Sequence, residues 1–356
     1  MVLLTASILI FTLTYGLTTL LSKSLVSKND ELEEYTLKKD PYIYIFFLLF
    51  TGSLGISFFA QHFENFVVPL KTSQLFLPFL FSGLIYILFL LETNKLLNVS
   101  VFAFSILSAF LFLNQESLPL TNIIPYEIQI LIIGLLLGGF VFSAKLFVAL
   151  PGFSSSLISM ILIGIVLISL AGGLPLSLIL FSMLMLGVFL SLFQTNFFEF
   201  KLKTNEGALM SVSFLLGSLF LIGVNEFAAP SMLILMTYPL AELAWCLVFH
   251  YILKHPATDL YFNTAYFSAY EKGIDLTSLR GFLFKIYVVN NALALFQLYA
   301  PNPFTLPFLA FLINFWLLGK LYNADKLEKT LQETNAQFIQ NVKDEIKTMK
   351  KNFKKN

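Results

Sequence analysis

Charge is what this sequence has least of. Lys, Arg, Asp and Glu make up 12% of its 356 residues, against 57% hydrophobic and 16% aromatic. A soluble domain carries roughly 25% charged residues, so a water-exposed surface over a chain of this length is excluded. Cysteine is nearly absent as well. Cys246 is the only one, which rules out an intrachain disulfide framework and a thiol-built metal cluster. It lies inside an apolar run and reads as a small packing residue. Histidine is limited to His62, His250 and His255, none with a second ligand at metal spacing. A Ser/His/Asp set, a Cys/His cluster and a phosphate-cradling glycine loop are all missing. The net charge of +1 offers no basic surplus for a nucleic-acid partner.

What the chain has instead is long apolar runs. They reach about 18–23 residues between charges, the length that crosses a hydrocarbon core of roughly 30 Å at 1.5 Å per helical residue. Barrel strands would be about 10 residues long with apolar and polar residues alternating. Helices satisfy their own backbone groups in lipid, so the expected fold is all-α, a polytopic membrane helix bundle. Spans are expected at 2–21, 42–60, 75–92, 97–114, 127–144, 153–171, 175–194, 207–224, 230–252, 281–300 and 303–321, about eleven in all. Pro41, Pro125, Pro151, Pro175, Pro230, Pro256, Pro301 and Pro303 fall at their ends. The first twenty residues lack a basic n-region, so they read as a first span and not as a removed signal.

Basic residues orient the bundle. With the N-terminus outside, every Lys and the single Arg280 fall on the cytoplasmic side except Lys71, the bias that retention of positive charge produces. The bundle then occupies 1–322 and is succeeded by a cytoplasmic tail, 323–356. There Leu327, Leu331, Phe338, Val342, Ile346 and Met349 recur at helical spacing among charges, ending in Lys350-Lys351-Asn352-Phe353-Lys354-Lys355. Three readings stay open for the tail. It is a helix on the anionic inner leaflet, a coiled coil joining a membrane-protein partner or a second copy, or a solvated end.

Polar residues inside the runs are the next signal. Glu242 sits ten residues from the end of the ninth span, about 15 Å deep. It is either functional or a protonated carboxyl hydrogen-bonded to a neighbouring helix. Asn290 and Asn291 read as interhelical hydrogen-bond donors, and Gly134-x-x-x-Gly138 as close helix packing.

Tyr238-Pro239-Leu240-Ala241-Glu242 is similar to the Pro-Leu-x-Asp of one known family. The segment Tyr270-Glu271-Lys272-Gly273-Ile274 with Leu276-Thr277-Ser278-Leu279-Arg280 resembles the stretch just after that family's histidine motif. In span layout and over 195–320 the chain resembles the polyprenyl-phosphate N-acetylhexosamine-1-phosphate transferases (glycosyltransferase family 4). These membrane enzymes start lipid-linked glycan synthesis in the bacterial inner membrane, using cytoplasmic loops. The motifs themselves are not intact. Glu92-Thr93 stands for paired aspartates, Ser143–Ser154 holds no aspartate, Thr204–Ala208 replaces Gly-Asp-x-Gly-Ser, and Thr264–Phe267 replaces the histidines.

The resemblance therefore implies a transferase fold that has lost catalysis and serves as a lipid-binding or partner subunit in cell-envelope glycan synthesis, with polyprenyl phosphate as ligand. The alternative is a diverged enzyme moving a sugar-1-phosphate from a UDP-sugar to undecaprenyl phosphate. In it Glu92, Glu206 and Glu242 act as catalytic carboxylates with magnesium, and Lys145, Lys203 and Asn205 bind substrate. No resident metal site is expected apart from that. A transporter or flippase would need more polar groups along a path than Glu242, Asn290 and Asn291 supply.

Overall fold

The structure is a computed structural model that describes residues 2–29, 41–62, 72–91, 94–115, 118, 124–148, 150–175, 177–196, 206–225, 228–248 and 264–322. Among these residues every regular element is helical. The α-helices are α1 (Val2–Asn29), α2 (Pro41–His62), α3 (Thr72–Leu90), α4 (Asn94–Phe112), α5 (Tyr126–Ser143), α6 (Phe153–Leu170), α7 (Ser177–Thr195), α8 (Glu206–Asn225), α9 (Ala229–Leu247), α10 (Ala265–Glu271), α11 (Leu276–Gln297) and α12 (Thr305–Tyr322). A 3-10 segment, Ala144–Val148, continues α5. The tail 323–356 lies outside the described residues.

Among the described residues eight helices are long and apolar enough to cross a membrane: α1, α5 with its 3-10 extension, α6, α7, α8, α9, α11 and α12. The apolar stretches Tyr44–Ser57, Phe76–Leu90 and Leu96–Phe112, where three more spans are expected, are helical but shorter, in the range of 10–17 residues. Such a chain belongs in a lipid bilayer. Apolar side chains on the outward faces, among them Leu9, Leu13, Leu20, Phe47, Phe110, Phe308 and Trp316, are exposed, as a hydrocarbon solvent permits.

At the centre stands α8, whose apolar window is 100% buried, whereas those of α1 and α12 are 22% buried. Around it pack α3, α5, α9 and α4, while α1 lies against α7, α4 against α5, α6 against α7, and α12 and α11 against α9. Lipid tails are as apolar as the helices, so close approach at small residues takes over from hydrophobic drive. Gly134 shows this directly, since a Cβ there would lie 2.6 Å from the Ile106 Cα on α4. Gly187 on α7 likewise faces the Phe11 carbonyl of α1, with 2.9 Å left for a Cβ.

Some ends differ from expectation. The eleventh helix starts at Leu276 and not at 281, because the Asp275 carboxylate accepts from the Ser278 N–H at 3.1 Å and starts it a turn earlier. α10 has no counterpart among the expected spans. Thr264 initiates it by accepting from the Phe267 N–H at 3.3 Å.

Candidate functional site

Lys145 and Glu206, 61 positions apart in the sequence, meet at one end of the bundle. The 3-10 turn after α5 carries Lys145, and Glu206 opens α8, so the contact of these elements sets the pair. The Lys145 Nζ lies 3.8 Å from the Glu206 Oε2 and donates to the Asn98 Oδ1 on α4 at 3.0 Å. It also sits 5.3 Å from the centre of the Phe142 ring, a cation–aromatic distance. The lysine side chain is 17% exposed and the glutamate 36%. Thus the ammonium is half withdrawn from water, while its acidic partner is nearer the surface. At 3.8 Å the pair is a loose ion pair with no ideal hydrogen bond, leaving the ammonium with donor capacity. Next to it, Gly207 permits the Phe89 ring of α3 to press onto the start of α8.

The remaining candidates are placed otherwise. Glu242 on α9 is fully buried, and its Oε1 accepts from the Ala265 N–H at 2.7 Å, the first amide of α10. Its Oε2 has no protein partner, and neither has the Tyr238 hydroxyl. The carboxyl is thus bonded to a neighbouring element, a short helix outside the apolar spans. Rings pack beside it: Phe153 and Tyr266 lie 4.5 Å apart, Phe147 and Tyr266 5.6 Å, and Phe147 and Tyr238 6.1 Å. Burial and the neighbouring Glu242 hold the Tyr266 phenol well above its ordinary pKa. Glu92, Lys203 and Asn205 lie outside the described residues. Among the described residues no group of three or more His, Cys, Asp and Glu could hold a metal ion.

Two residues carry more than the sequence reading gave them. Arg280 is buried and donates to the carbonyls of Pro151 and Asn196, with its guanidinium 5.6 Å from the centre of the Phe193 ring. Gly152 makes room, at φ 67°, with only 2.9 Å between a would-be Cβ and the Asn196 carbonyl. Asn314 donates to the Thr237 hydroxyl at 2.7 Å and to the Asn290 Oδ1 at 3.4 Å. Asn290 therefore acts as an acceptor in a knot joining α9, α11 and α12, where a donor was expected. The signal for Asn314 is the same amide within an apolar run that marks Asn290.

Searches against known families and curated proteins return no match: no family model fits the chain, and no curated protein is significantly similar to it.

Proposed function

We propose that this chain binds the phosphate of a membrane-anchored lipid at its Lys145 end, as a lipid-binding or partner subunit in bacterial lipid-linked glycan synthesis. In this reading the bundle has eleven spans and lies in the inner membrane with its N-terminus outside. The Lys145 end faces the cytoplasm, and the transferase layout survives without its catalytic motifs. The observation that supports it is the half-buried Lys145 ammonium, held by Asn98 over Phe142 and only loosely balanced by Glu206. A lysine is a compact point charge suited to phosphate, and partial burial strengthens its pull on an anion.

A second reading gains from the same pair. A carboxylate beside a lysine is also what an active sugar-phosphate transferase would use, with Glu206 holding magnesium and Lys145 offsetting charge on the transferred phosphate.

One experiment separates them. The full-length protein in nanodiscs is titrated with undecaprenyl phosphate and with undecaprenol, and nucleoside monophosphate release from UDP-sugars is monitored in parallel. The binding reading expects preference for the phosphate, a loss of about tenfold, or ~1.4 kcal/mol, in Lys145→Met, and tighter phosphate binding in Glu206→Ala, which frees the ammonium. Equal affinity for alcohol and phosphate sinks it. Monophosphate release that disappears in Glu206→Ala establishes the transferase instead.

A further inference from the structure

Between α9 and α10, three fully buried polar atoms have no hydrogen-bond partner among the described residues: the Glu242 Oε2, the Tyr238 hydroxyl and the Tyr266 hydroxyl. The fold gathers them around one spot. Tyr238 precedes Glu242 by four positions on α9, so the two share a face one turn apart. Tyr266 follows Ala265, whose N–H donates to the Glu242 Oε1 at 2.7 Å. The Phe147 ring centre lies 6.1 Å from that of Tyr238 and 5.6 Å from that of Tyr266. Glu242 acts electrostatically on both phenols, and Tyr266 on Tyr238.

These atoms are close enough to interact and too far apart to bond. The Thr264 side chain is near the Tyr266 hydroxyl as well, beyond normal hydrogen-bond length. Small side-chain shifts cannot close such gaps, because a phenol oxygen moves only with its ring and both rings are clamped. Tyr266 also lies 4.5 Å from Phe153, and Tyr238 6.0 Å from Tyr287. Tyr287 offers no help, since its hydroxyl donates to the Leu235 carbonyl at 3.4 Å. Buried polar groups are nearly always hydrogen-bonded, and a polar contact just beyond bonding length is what a bridging water spans. A hydrocarbon guest would leave all three atoms unpaired. Two of the three groups carry a proton to donate, so the spot suits a ligand that accepts as well as donates, which a water does and a cation does not. Three partners also fall within the roughly two to four that hold a buried water.

We propose that Glu242, Tyr238 and Tyr266 bind one ordered water that bridges α9 to α10. It accepts from the two phenols and donates to the Glu242 Oε2. The water is a second tie between the helices, beside the bond from the Ala265 amide to the Glu242 Oε1, and it seats α10 against the bundle. The inference is independent of the function proposed for Lys145.

The test is X-ray hydroxyl-radical footprinting of the full-length protein in nanodiscs, read residue by residue by mass spectrometry. Radicals born from a bound water mark the side chains that hold it, even where bulk water does not reach. Tyr287 is the buried reference, as enclosed as the other two but bonded to protein, and Tyr299, which is exposed, reports bulk radicals. Tyr238 and Tyr266 are expected to be oxidised several-fold faster than Tyr287, and a bulk radical scavenger is expected to suppress Tyr299 while sparing both. Tyr238→Phe removes one partner and is expected to bring Tyr266 down to the Tyr287 rate. Tyr266→Phe does the same to Tyr238 and serves if the first variant does not fold. Rates equal to that of Tyr287 overturn the proposal. So does labelling that the scavenger removes together with Tyr299, or labelling that both phenylalanine variants leave unchanged.

Discussion

Two regions of the bundle are joined by different chemistry. Where α9, α11 and α12 meet, Asn314, Thr237 and Asn290 bond across three helices. Nearby, Glu242 fastens α10, and Arg280 pins the turn before α6 to the end of α7. Where α2 meets α3, the contacts are phenyl edges around a cleft. In hydrocarbon, apolar contact between helices is hardly better than contact with lipid, so geometry is fixed by hydrogen bonds and by small residues that let backbones approach. The first region is therefore fixed by directed bonds, while the second relies on ring contact.

The contrast can be broken most sharply at Glu242. Glu242→Ala leaves the buried Ala265 amide without its acceptor and is expected to cost about 3 kcal/mol, read as a lowered unfolding midpoint in detergent. Glu242→Gln retains an acceptor and is expected to stay near the parent. Equal loss in both variants would mean that the charge matters and the backbone bond does not. Next comes helix approach. Gly134→Leu drives a side chain into the Ile106 backbone and is expected to cost about 2 kcal/mol. Gly55→Leu, with open space around it, should leave the midpoint unchanged, and a similar loss from both would remove close packing as the cause. A smaller effect is expected from Asn314→Leu, about 0.6 kcal/mol, the average found for interhelical hydrogen bonds in a membrane bundle. Combining it with Thr237→Val should add nothing beyond the single changes if the two share one bond.

The smallest effect lies outside the spans. The Ser278 hydroxyl and N–H hold the Asp275 carboxyl below its ordinary pKa. A depressed folded-state pKa contributes stability above the unfolded value of roughly 3.9 and loses it as pH falls through the folded value. The slight lowering of the midpoint in Asp275→Ala at neutral pH should therefore fade as the pH drops below about 4. A penalty independent of pH would assign the effect to helix propensity alone.

The helices are legible in the sequence because lipid demands long uncharged runs, and the gaps between charges mark them. Gly134 and Gly138 are legible too as packing positions, and Gly138 does face the Phe102 ring. Lys145 and Glu206 are singled out in the sequence only through the family resemblance, and their meeting depends on how the 3-10 turn sits on α8. No local pattern encodes that. Arg280 reads in the sequence as one more positive charge on the proposed cytoplasmic side and as the end of a segment that resembles a family stretch, with no sign of burial in either. Its burial against two carbonyls depends on a turn at Gly152 that lies 128 positions away in the chain. The cap residues Thr264 and Asp275 are readable in principle, since both precede a helix at the usual spacing. Neither stands out, because α10 is too short to show a helical period and Asp275 sits among the charges that separate two spans.

The pairing of α1 with α7 sets an order of events in the making of this protein. α1 is synthesised before the helix it mainly rests on, with five others coming between them. Several of its hydroxyls are satisfied within the helix before any partner is present. Thr12 donates to the Ile8 carbonyl at 2.9 Å, Thr14 to that of Ile10 at 2.8 Å and Thr19 to that of Tyr15 at 2.8 Å. When α7 arrives, Thr19 pairs with Ser191 at 2.9 Å and the Tyr15 hydroxyl bonds to the Gln194 side chain. A helix able to stand by itself in the bilayer and then accept a later partner suits a chain that is threaded in progressively.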